Sequence, residues 1–177
     1  VIIMFKNWVK SNIKIKYLVI IFAILILALL YIEMNAKVVK YKYYKKQVKA
    51  ANLMKESLKK IKLARIEQGI DININLDPNK TALIGKEFTK ITTTQGNLEA
   101  KRTATNPDFA ALIVKYFNKI NLKEGDYIAI GASGSFPSLI IAVLSAAKVM
   151  KLNPILIYSF GSSMYGANIP EFTFIDM

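Results

Sequence analysis

The fold of this chain is decided by residues 125–158, GDYIAIGASGSFPSLIIAVLSAAKVMKLNPILIY. An apolar run at 127–130, entered through a Gly-Asp turn, predicts a β-strand. Pro137 then begins an apolar helix that we expect to end near Lys151, and an Asn-Pro turn leads into a second strand at 155–158. A strand, a helix and a strand of these lengths form a βαβ unit with parallel strands. The stretch therefore predicts an α/β fold.

Two glycine- and serine-rich loops follow the predicted strands, GASGSFP at 131–137 and GSS at 161–163. Because parallel strands end at the same edge of a sheet, we expect both loops to open there, where α/β folds bind ligands. Free N–H groups at the start of the intervening helix favour an anionic ligand. The loop residues predicted to bind it are Gly131, Ser133, Gly134, Ser135, Ser162 and Ser163. The alternative is that they are only turn and cap residues.

A polar run at 92–107, TTTQGNLEAKRTATNP, precedes this unit and reads as a long loop after an extended segment at 83–94. Within it, Lys101 and Arg102 are predicted to converge on the serine loops, with Arg102 clamping a carboxylate. The alternative is that Asn97, Glu99, Lys101 and Arg102 form a salt-bridged loop with a structural role only. An Asn-Pro pair at its end then begins a further amphipathic helix.

Composition excludes several kinds of site. The sequence has no cysteine and no histidine. It therefore has no disulfide framework, no thiolate zinc site, no Ser-His-Asp triad and no cysteine nucleophile. GASGS also lacks the dinucleotide, P-loop and nucleophile-elbow spacings. We predict no cofactor and no metal.

Residues 17–32, YLVIIFAILILALLYI, carry no charge. As a helix they would span roughly 24 Å, slightly less than the ~30 Å hydrocarbon core, and Lys14, Lys16 and Lys37 can extend the span by snorkelling. We predict a single-pass transmembrane anchor within an N-terminal segment, 1–36. A buried core helix and a cleaved signal peptide are less favoured alternatives. Lysines flank the run on both sides, so the distribution of positive charge does not determine its orientation. We predict that the following domain lies on the extracytoplasmic side of the membrane.

The net charge of +13 is concentrated after the anchor. Residues 37–65 hold ten lysines and Arg65 against Glu56, a net +10, whereas residues 66–177 hold ten basic and ten acidic side chains. Apolar residues at spacings of three and four predict one amphipathic helix, a basic stalk at 37–69. It either packs on its own domain or a partner helix, or contacts a polyanion or anionic lipid. A neutral domain argues against nucleic acid as a partner.

Three strings resemble the poly-γ-glutamate system protein family. They are DPNKTALIGKEFTKITTTQGNLEAKRTATNPDFAALIV, GDYIAIGASGSFPSLIIAVLSAAK and PILIYSFGSSMYGANIPEFTFIDM, within 77–177. The resemblance implies a membrane-anchored accessory component of poly-γ-glutamate capsule synthesis or export, with the synthase subunits as partners. It implies no catalytic residues. Family members are longer, so we expect the sheet to be incomplete within these residues.

The expected architecture is thus a transmembrane helix, a basic helical stalk, and a small Rossmann-like three-layer domain with a parallel sheet at 70–177. The expected function is non-catalytic, with the anionic polymer or a carboxylate or phosphate group bound at the βα loops. The alternative is an enzyme that acts on the polymer or its precursor. It would use Ser133 or Ser135 as nucleophile and Lys101 as base, which requires burial to depress the lysine pKa. A lipid-bound structural tether is a third possibility.

Overall fold

The computed structural model describes residues 14–36 and 42–177. The chain divides into two compact units, Val1–Lys40 and Tyr41–Met177. The predicted start of the basic helix at Lys37 lies outside the described residues.

In the described part of the first unit, residues 14–36, the chain forms a helix, α1, Ile15–Asn35. The helix has 21 residues, of which none is buried. The mean hydropathy of its most apolar 18-residue stretch is 2.8. At ~1.5 Å per residue, α1 is roughly 32 Å long, so it covers a hydrocarbon core that the predicted run of 17–32 did not quite span. Among the described residues it is the one helix long and apolar enough to cross a membrane, and a signal sequence would meet the same criterion.

The second unit is a mixture of helices with one small parallel sheet. Its elements, in chain order, are α2 (Tyr44–Glu67), α3 (Leu98–Ala104), α4 (Asp108–Lys119), β1 (Tyr127–Ser133), α5 (Pro137–Met150) and β2 (Asn153–Ser159). The predicted α/β character and the strand–helix–strand order are confirmed. Both strands are longer than the apolar runs that predicted them, because their polar ends continue the ladder.

The sheet in the described part of the chain has two strands, β1 and β2. They pair in parallel from Tyr127 opposite Asn153 to Ser133 opposite Ser159. Alternate residues face opposite sides of a sheet, and the side that carries Tyr127, Ile155 and Ile157 is exposed.

The core lies among three helices, α2, α4 and α5, each of which packs against the other two. The apolar stripe predicted for the basic helix is buried there, for example Met54, Leu58 and Ile61. These side chains meet Val114 of α4 and Ala146 of α5 in one cluster. From Tyr44 onward the predicted stalk therefore belongs to the same compact unit as residues 70–177, in agreement with the alternative in which it packs on its own domain.

Residues 83–94 are predicted to be extended, and the polar run at 92–107 to be a long loop. Residues 83–94 form no regular strand, and their pairing is limited to an isolated parallel bridge between Thr92 and Ser162 and a few further backbone hydrogen bonds to residues 162–166. The polar run after it is not a continuous loop, because Asn97 accepts a hydrogen bond from Ala100 N and so caps α3.

Candidate functional site

The two serine-rich loops meet at the carboxyl end of the sheet, as the parallel topology predicts. Gly134 N, just after β1, donates to the carbonyl oxygens of Ser159 (3.3 Å) and Gly161 (3.2 Å). In return, Ser162 Oγ donates to the Gly134 carbonyl oxygen at 3.0 Å. A Cβ at Gly134 would lie 3.1 Å from Ser162 Cβ, so glycine permits this close approach. Gly131, by contrast, lies within β1 and has open space around it.

Lys101 reaches this junction from α3. Its Nζ donates to Ser163 Oγ at 2.7 Å and to the carbonyl oxygen of Ser135, and lies 4.2 Å from the centroid of the Phe136 ring. The lysine is only 2% exposed and Ser163 only 7%. We call Lys101, Ser135, Phe136 and Ser163 the Lys101 cluster. The predicted approach of Lys101 to the serine loops is therefore what the structure shows.

The serines of the two loops also contact each other directly. Ser163 N donates to Ser135 Oγ at 3.0 Å, and Ser135 N donates to Ser133 Oγ at 3.4 Å. Ser133 and Ser135 face a cleft of about 220 Å³ between β1 and the start of α5, with Phe136 in its wall. The Lys101 cluster thus adjoins this cleft through Ser135 and Phe136.

Burial changes the pKa of the lysine in the Lys101 cluster. Loss of solvent around Lys101 lowers its pKa to about 8. Among the described residues no carboxylate forms a salt bridge with it; the two salt bridges there are Glu99 with Arg102 and Glu124 with Lys151. A buried amine of this kind can stabilise an anion when protonated, and can accept a proton from a hydroxyl when neutral.

Arg102 does not join the cluster, so the prediction that it would converge on the serine loops is corrected here. Its Nε donates to the Leu76 carbonyl oxygen (2.8 Å) and its Nη2 to that of Asn75 (2.7 Å), while Nη1 pairs with Glu99. The reason is helical geometry: successive residues point about 100° apart, so Lys101 faces inward and Arg102 faces the segment before it.

Arg102 instead lines a groove beside α2 that sequence reasoning did not identify. The groove has a volume of about 590 Å³ and no acidic side chain among its lining residues. Its five basic residues are Lys55, Lys59, Lys62, Lys80 and Arg102, and we call it the basic groove. The sequence did contain a signal for this groove. Lys55, Lys59 and Lys62 are spaced by four and three residues, which places them on one face of a helix.

In the described part of the chain, no group of three or more carboxylate side chains is placed to hold a metal ion. Comparison of the chain with protein-family models, curated protein sequences and solved structures gives no match.

Proposed function

We propose that this protein is a single-pass, membrane-anchored accessory component of poly-γ-glutamate synthesis or export, with its folded unit on the extracytoplasmic side. Its role is to hold the anionic polymer beside the membrane, together with the synthase subunits. The resemblance of 77–177 to the poly-γ-glutamate system proteins and the apolar helix α1 support this proposal.

The observation that carries the proposal is the exposed, unpaired positive charge of α2. Of its seven lysines, six are exposed and Lys62 is partly exposed, and none forms a salt bridge among the described residues. The helix keeps this charge outside because its apolar stripe is buried against α4 and α5. A polymer of carboxylates is attracted to such a surface, more weakly as salt is added.

Co-expression tests the proposal. Cells that make poly-γ-glutamate from its synthase subunits are compared with and without this chain. We expect the chain to increase the cell-associated polymer, and we expect a variant with the α2 lysines changed to glutamine to increase it less. An unchanged amount of cell-associated polymer would contradict the proposal.

We also propose that the βαβ unit belongs to a Rossmann-like three-layer domain. The parallel pairing of β1 and β2 and the apolar, exposed side chains of Tyr127, Ile155 and Ile157 support it, because a second helical layer would cover that face.

A second candidate function is favoured by the contact of 2.7 Å between Lys101 Nζ and Ser163 Oγ. In this reading the neutral amine accepts the Ser163 proton while Oγ attacks a γ-glutamyl carbonyl carbon. Lys101 then gives the proton to the departing amine, and water hydrolyses the ester. Ser163 replaces the predicted nucleophile, Ser133 or Ser135, because the serine hydroxyl that is hydrogen-bonded to the Lys101 amine is Ser163 Oγ.

The polymer's chain length tests this second candidate. Wild-type protein should shorten poly-γ-glutamate with a rate that rises through pH ~8, Ser163→Ala should not shorten it, and Ser133→Ala should retain the activity. A constant chain length with wild-type protein across this pH range rules the enzyme out.

A further inference from the structure

The basic groove is built from three parts of the second unit. One wall is α2, where Lys55, Lys59 and Lys62 follow each other at one-turn spacing. The rest of the lining comes from residues 79–81, 102–103 and 105–107. From Lys55 to Lys62 the helix rises about 10 Å, so the groove presents a row of charges, not a single point.

The turn that brings Lys80 to the groove is held in a fixed conformation. Lys80 and Ala82 both have a positive φ, 50° and 66°, a backbone conformation that residues other than glycine rarely adopt. The buried Asp77 stabilises the turn, because its carboxylate accepts hydrogen bonds from Thr81 Oγ1 and, at 2.8 Å, from Ala82 N. Lys80 N in turn donates to the Asp77 carbonyl oxygen at 2.9 Å.

Arg65 also stabilises this turn and the residues after it. Its buried guanidinium donates to the carbonyl oxygens of Ala82 (2.8 Å), Ile84 (2.9 Å) and Asp71 (2.9 Å). Arg102 is similarly fixed by the carbonyl oxygens of Asn75 and Leu76 and by its salt bridge with Glu99. The backbone of Lys80 and the side chain of Arg102 are thus fixed before any ligand binds, which lowers the entropy cost of binding.

We infer that the basic groove is the binding site of a linear polycarboxylate chain. The inference rests on the proposed function and assigns it a location. A row of lysines in a concave surface suits an extended chain that carries a carboxylate on each repeat, whereas a flat membrane surface would not enter the groove. The amide side chains of Asn79 and Asn106 lie along the same lining and can bond to the amides of such a chain.

The test is equilibrium binding of poly-γ-glutamate and of α-linked polyglutamate to the full chain in detergent micelles. The groove variant carries Lys55→Gln, Lys59→Gln and Lys62→Gln. Two comparison variants lose the same charge: Lys45→Gln, Lys46→Gln and Lys49→Gln elsewhere on α2, and Lys115→Gln, Lys119→Gln and Lys123→Gln on and after α4.

We expect the groove variant to bind poly-γ-glutamate about tenfold more weakly than wild type, and each comparison variant to lose about threefold or less. Weaker binding of the α-linked polymer would show that the groove also distinguishes the linkage. Equal binding would show that it recognises the carboxylates alone. Both results support the site.

Three results overturn the inference. If the Lys45, Lys46 and Lys49 variant loses as much affinity as the groove variant, the charge of α2 acts without the groove and the proposed function stands. If wild-type protein binds neither polymer at low salt, the proposed function fails as well. A polyuridylate probe that loses affinity with the groove variant while poly-γ-glutamate does not would assign the groove to RNA instead.

Discussion

Lys101 and Ser163 lie 62 positions apart in the sequence and are joined by a buried hydrogen bond of 2.7 Å between Nζ and Oγ. This contact ties α3 to the loop after β2, and the same Nζ ties it to Ser135 after β1. A single lysine therefore connects three segments at the carboxyl edge of the sheet. No carboxylate in the described part of the chain offsets its charge by a salt bridge.

The pH dependence of stability follows from this lysine. Its pKa is about 8 in the folded protein, below the 10.5 of an ordinary lysine. Between these values the unfolded chain binds more protons at Lys101 than the folded chain, so the free energy of unfolding rises with pH there. Chemical unfolding of the full chain in micelles, followed by circular dichroism from pH ~7 to ~10, measures it.

Lys101→Met should remove this increase, while Lys115→Met, at an exposed position of α4, should retain it. The same rise with pH in wild type and in Lys101→Met would show that the lysine is not its source.

Gly85 is predicted to be intolerant of a side chain. A Cβ there would overlap the carbonyl oxygen of Gly166 and the side-chain oxygen of Asn168. Gly85→Ala should therefore lower the free energy of unfolding by about 1–3 kcal/mol. Gly131→Ala is the matched control, because nothing lies within 4 Å of a Cβ at that position. Equal unfolding midpoints for the two variants would contradict the packing described for Gly85.

Arg65 is predicted to be a stability determinant despite its place on a basic helix. Its three hydrogen bonds to carbonyl oxygens fix the segment that contains Ala82 and Ile84. Arg65→Met should cost about 2–4 kcal/mol, because buried carbonyl groups lose a charged donor. It should also weaken polymer binding by displacing Lys80. A loss below about 0.5 kcal/mol, typical of a surface substitution, would be inconsistent with this role.

Much of the sheet and its helix was predictable from local pattern. The run of apolar residues in β1 and β2 and the Pro137 start of α5 are local signals, and the parallel order follows from connection length. The meeting of the two serine loops followed from topology alone. The stripe of Met54, Leu58 and Ile61 likewise showed which face of α2 is buried.

The remainder depended on contacts that a sequence pattern does not contain. Residues 83–94 have strand-like composition but bond to 162–166 at only a few points, so no ladder forms. Lys101 and Arg102 are adjacent residues that both have basic side chains. The orientation of α3 decides that Lys101 contacts Ser163 and Arg102 contacts Asn75. The basic groove needs α2, Lys80 and Arg102 together, and these are distant in sequence.

The anchoring role of α1 has a direct test. If α1 holds the protein in the bilayer, alkaline carbonate washing of membranes should leave the full chain in the pellet, since the helix is apolar on every face. A variant lacking residues 15–35 should move to the supernatant. Recovery of the wild-type chain in the supernatant, or an N-terminus mapped after α1 in the mature protein, would contradict anchoring.

The salt dependence of poly-γ-glutamate binding tests the central claim most directly. The dissociation constant of the full chain is measured in micelles from low to physiological and higher NaCl, beside a variant in which the seven lysines of α2 are glutamine. Screening should weaken wild-type binding steadily as salt rises, and the variant should bind weakly at every concentration. Absence of wild-type binding at low salt, or equal binding by the variant, would contradict a polyanion-holding role for this protein.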